Sequence, residues 1–82
     1  MKRQILVKVV YGTSVSSLCG KIIQLAGVTD VQVIFSSGVY SLKAVVEVGT
    51  KDEVAVVIKA ITALTNDSGD LVVKDTLDLP LI

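Results

Sequence analysis

Histidine and tryptophan are absent from the chain, and cysteine and proline occur once each. Without imidazole there is no histidine general base and no histidine metal ligand. A single thiol, Cys19, makes neither an internal disulfide nor a paired-thiolate metal clamp. Only Tyr11, Phe35 and Tyr40 are aromatic, and eight Lys+Arg balance eight Asp+Glu. That balance excludes nucleic-acid binding through a basic surface with stacking rings. No apolar run approaches the roughly 18–20 residues of a membrane span. The apolar run after Arg3 is broken at Lys8, unlike that of a signal peptide. These absences favour a binding or structural module over an enzyme, with neither nucleic acid nor membrane as partner. A lone thiol without an export signal fits the reducing cytoplasm.

What is present is aliphatic. The 82 residues are 51% hydrophobic and include sixteen valines. This length forms one domain with one core, and β-branched side chains favour strands. Residues 4–10 alternate as a strand, with Ile5, Val7 and Val9 on one face. Thr13 or Ser14 caps a helix whose stripe is Val15, Leu18, Cys19, Ile22 and Leu25; the helix extends to about Ala26 before Gly27. Residues 30–35 and 40–48 form two strands around Ser36-Ser37-Gly38, hence a hairpin. Thr50 and Glu53 have capping-box spacing. They open a second helix with the stripe Val54, Val57, Ile58, Ile61 and Leu64. Residues 70–76 form the last strand, and 77–82 are a tail that either extends it or frays, with no regular pairing beyond Pro80.

The order β-α-β-β-α-β is the ferredoxin-like α+β plan, a four-stranded antiparallel sheet with two helices on one face. The other face is left uncovered. By strand parity it carries Leu6, Lys8, Val10, Gln32, Ile34, Ser41, Lys43, Val45 and Glu47, with Val72, Lys74 and Thr76 from the last strand. A contiguous aliphatic patch of this kind marks a contact surface.

Lys2-Arg3-Gln4-Ile5-Leu6-Val7-Lys8-Val9 resembles the first strand of heavy-metal-associated (HMA) domains, whose plant members open on a lysine-rich strand. Cys19-Gly20-Lys21-Ile22 and Gly27-Val28-Thr29-Asp30-Val31-Gln32-Val33 are similar to that family's first helix and its entry into the second strand. The resemblance spans residues 2–76. Metal-carrying members hold Cu(I) or Zn(II) on an M-x-C-x-x-C loop. Here that stretch is residues 11–19, with Cys19 alone and inside the helix.

The resemblance therefore implies a divergent, metal-free, cofactor-free member. Such domains bind other proteins, including pathogen effectors where they are built into plant immune receptors. Contact candidates are Val33, Ile34 and Phe35 with Ser41, Lys43, Val45 and Glu47, reached by adding a strand to an edge or by covering the sheet face. Alternatives are a small-ligand regulatory module of ACT type, with an anion over the Tyr11–Ser14 loop, a sheet-mediated homodimer, and a metallochaperone using Cys19 from two chains.

Other polar residues have plainer readings. Thr13, Ser14, Ser16 and Ser17 cap a helix rather than supply a nucleophile, since no base accompanies them. Asp67, Asp70, Asp75 and Asp78 lack calcium-loop spacing and are turn and edge charges. Tyr11 and Tyr40 are read as part core, part contact anchor.

Overall fold

The computed structural model describes residues 1–34 and 39–81. The elements are β1 (Lys2–Val9), α1 (Val15–Ile22), β2 (Val28–Val33), β3 (Leu42–Glu47), α2 (Lys51–Thr62) and β4 (Val73–Pro80). All four strands lie in one antiparallel sheet of order β2-β3-β1-β4. The α+β ferredoxin-like order read from the sequence is the order observed. Phe35 and the Ser36-Ser37-Gly38 turn lie outside the described residues.

The core follows from two periodicities. Ile5 and Val7 of β1 and Leu42, Ala44 and Val46 of β3 are fully buried at every second position. Leu18 and Ile22 of α1 and Val54, Val57 and Ile61 of α2, spaced three or four apart, close over them. Val15, Cys19, Leu25, Ile58 and Leu64 pack around this cluster. Both helices thus use one face of the sheet.

Short polar contacts set the helix ends. Ser14 caps α1, its hydroxyl accepting the Ser17 N–H at 3.4 Å. Thr50 Oγ1 accepts the Glu53 N–H at 3.3 Å, and Glu53 reaches back to the Gly49 N–H at 3.4 Å. The expected box is present, with its return bond one residue earlier. Helix α1 stops at Ile22, short of the expected Ala26. Leu25 N–H turns to the Ile22 carbonyl and Val28 N–H to that of Leu25, so the chain passes through two successive turns, the second containing Gly27, before β2.

The last strand departs most from the sequence reading. It begins later and runs to Pro80, so residues 77–80 take the first of the two readings of the tail and extend the strand. A register shift between Lys8 and Val9 changes its parity. Val72 and Val73 are both buried, and Thr76 pairs with buried Val7 on the helix side. Neither Val72 nor Thr76 therefore belongs to the uncovered face. Tyr11, expected to be partly core, is fully exposed.

Candidate functional site

Directly paired residues of antiparallel strands share a face, so the register maps the uncovered side. Lys2, Gln4, Leu6 and Lys8 of β1 lie beside Glu47, Val45 and Lys43 of β3. On β1's other flank, Gln4 pairs with Leu79, Leu6 with Leu77, and Lys8 with Asp75. Across β3, Val45 pairs with Asp30 and Lys43 with Gln32. The face divides into two halves. Leu6, Leu77 and Leu79 concentrate on β1 and β4, with Val45 adjoining; Asp30, Gln32, Lys43 and Glu47 make the β2–β3 half polar.

Of the sequence-derived contact residues, Lys43, Val45 and Glu47 stand on this face, and Ile34 continues the Asp30–Gln32 alternation onto it at the end of β2. Ser41 is half-buried just before β3, and its carbonyl accepts the Ile34 N–H at 2.9 Å. Val33 pairs with buried Leu42 and therefore faces the helix side, where as an edge residue it stays 40% exposed. Leu77 and Leu79 were missed. The signal for them was the Leu77-x-Leu79 alternation, read past because Pro80 follows.

The two sheet edges are chemically closed in part. By alternation, the N–H groups of Val31 on β2 and Thr76 on β4 point away from the sheet. Asp30 Oδ1 accepts the Val31 N–H and Asp75 Oδ1 accepts the Thr76 N–H, each at 2.9 Å. Pro80 has no N–H to offer. An incoming strand would compete with these carboxylates, so edge pairing is disfavoured relative to covering the face.

A cleft of about 380 Å³ lies at one end of the sheet, between residues 10–14 and residues 65–72. Ser14, Ser17 and Lys21 line it with Asp67 and Asp70. Its one cation and its serines are engaged within the fold. The Lys21 ammonium donates to the Thr65 carbonyl at 2.8 Å, and the Ser14 hydroxyl donates to Ser17 Oγ at 3.2 Å. Arg3 and Asp78 pair at 2.8 Å on the rim of the helix side, which pushes the guanidinium pKa up through the hydrogen bond.

Among the described residues, no three His, Cys, Asp or Glu side chains come together to hold a metal, and no helix is long and apolar enough to cross a membrane. Cys19 is half-buried against the core, and burial pushes its thiol pKa up. A metal site needs the thiolate, the form this position disfavours. The linkage has a definite sign. The thiol ionises at higher pH in the folded chain than in the unfolded one, so stability falls as alkaline pH rises through the unfolded thiol's pKa. Iodoacetamide alkylation of Cys19 at neutral pH, followed by mass spectrometry, is expected to be slower in the native chain than in urea. Equal rates would show the thiol to be free.

Comparison of the chain with models of known protein families and with curated proteins returns no match.

Proposed function

We propose that the chain is a non-catalytic protein-interaction domain that docks other proteins on its uncovered sheet face. One observation carries this reading: Leu6, Val45, Leu77 and Leu79 share a face that neither helix covers, while aspartates occupy donors on both sheet edges. The resemblance to metal-free HMA domains supports the same reading. It extends the proposal to a cytoplasmic setting and to pathogen-effector binding within a plant immune receptor.

The test compares affinity isolation by the native chain, Val45→Asp and Val56→Asp. Val56 is 67% exposed on α2, away from the face, and serves as the control. Proteins held by the native chain and by Val56→Asp are expected to be lost with Val45→Asp. Titration of each purified partner should show at least about a tenfold loss for a charge placed in a buried contact. Equal affinity of Val45→Asp for every partner would remove face docking.

A further inference from the structure

The aliphatic half of the uncovered face has a charge pattern that selects a particular occupant. Along β1 and β4 the pairs run Gln4 with Leu79, Leu6 with Leu77, and Lys8 with Asp75. A twofold axis parallel to the strands and midway between β1 and β4 would set each β1 residue over the β4 residue with which it pairs in its own chain. Every cross-strand pair is then repeated between chains. Leu6 meets the second copy's Leu77, Lys8 meets its Asp75, and Gln4 meets its Leu79, each contact occurring twice. The same operation about the β1–β3 boundary would set Leu6 against Lys43, which costs the desolvation of a lysine.

We infer that a second copy of this chain docks face to face across β1 and β4. This rests on the face-docking reading above and names one partner for it. Sheets stack about 10 Å apart with aligned strands, which leaves room for leucines to interdigitate and for the Lys8–Asp75 contacts to form at the rim. Two of four strands overlap, so the contact belongs with small, transient interfaces below about 1,200 Å². The dimer is reversible and concentration-dependent.

Sedimentation equilibrium from about 10 µM to 1 mM, a range spanning weak affinities, tests it. The native chain is expected to dimerise within that range. Lys8→Asp and Asp75→Lys are each expected to weaken dimerisation by about tenfold or more, since each sets like charges against each other twice. An equimolar mixture of the two variants should restore it. In the mixed dimer both inter-chain pairs are attractive, although the pair within each chain remains repulsive. Leu77→Asp, at a position 38% exposed, should abolish association while circular dichroism reports a native fold.

A native chain that stays monomeric overturns self-pairing, as does a dimer indifferent to Leu77→Asp or a mixture that fails to rescue. A monomer whose Val45→Asp variant still loses another protein overturns self-pairing and leaves face docking standing. A dimer that survives Leu77→Asp, with partners indifferent to Val45→Asp, overturns both.

Discussion

Ile61→Ala is expected to lower the unfolding free energy by about 2–5 kcal/mol, the range for truncating a buried aliphatic side chain. Ile61 lies on α2, fully buried in the cluster shared by both helices and the sheet. A domain of this size has a total stability on the order of 4–12 kcal/mol. The substitution therefore removes a large share of it, and the urea midpoint should fall accordingly. Val56→Ala on the same helix is the counterpart. Val56 is 67% exposed, and alanine is the better helix former. That variant should stay within about 0.5 kcal/mol of the native chain or gain slightly. Similar losses for both would mean that α2 does not pack as described.

Gly27→Ala is the second large effect. Gly27 sits between α1 and β2 at φ +90°, a conformation that side chains disfavour. An added Cβ would stand 2.8 Å from Val48 Cγ1 and 3.2 Å from Val57 Cγ2. Backbone strain of about 1–2 kcal/mol and overpacking of about 1–3 kcal/mol together give a loss of about 2–5 kcal/mol. Gly69 separates the two terms. Its φ is +84°, yet nothing lies within 4 Å of an added Cβ. Gly69→Ala should cost only the backbone part, about 1–2 kcal/mol. Equal costs at the two positions in denaturant titrations would show that Val48 and Val57 yield without penalty.

The elements were legible because local chemistry and packing agree. Thr50 and Glu53 mark the start of α2, Ser14 marks the start of α1, and Leu42-x-Ala44-x-Val46 announces a half-buried strand. What escaped was non-local. The register shift at Lys8/Val9 depends on how β4 meets β1, which no window of sequence contains. It set Thr76 on the helix side, while Val72 is buried just before the strand, its N–H bonded to the Leu64 carbonyl; the face assigned by simple parity was wrong for both. Pro80 occupies the last position of an edge strand, where its missing N–H leaves no ladder bond unmade and pairing ends as expected. Reading 77–82 as a tail hid Leu77 and Leu79, two of the aliphatic residues on the uncovered face. The edge aspartates escaped for a related reason. Asp30 and Asp75 read as ordinary surface charges until alternation shows which N–H groups point outward.

Strand β1 is the first element in the chain, yet it sits inside the sheet with β4 on its outer flank. Arg3 pairs opposite Pro80, nearly the whole chain apart. During synthesis, Leu6 and Lys8 must wait for the end of the domain to leave the ribosome. At translation speeds of about 5–20 residues per second, that wait is on the order of ten seconds. Through that interval the β4-facing edge of β1 has no partner within its own chain. A neighbouring nascent copy that supplied its own Val73–Pro80 would give a strand-exchanged pair with the same register. The ladder between β1 and β4 is thus the last of the sheet's three ladders to close as the chain is made.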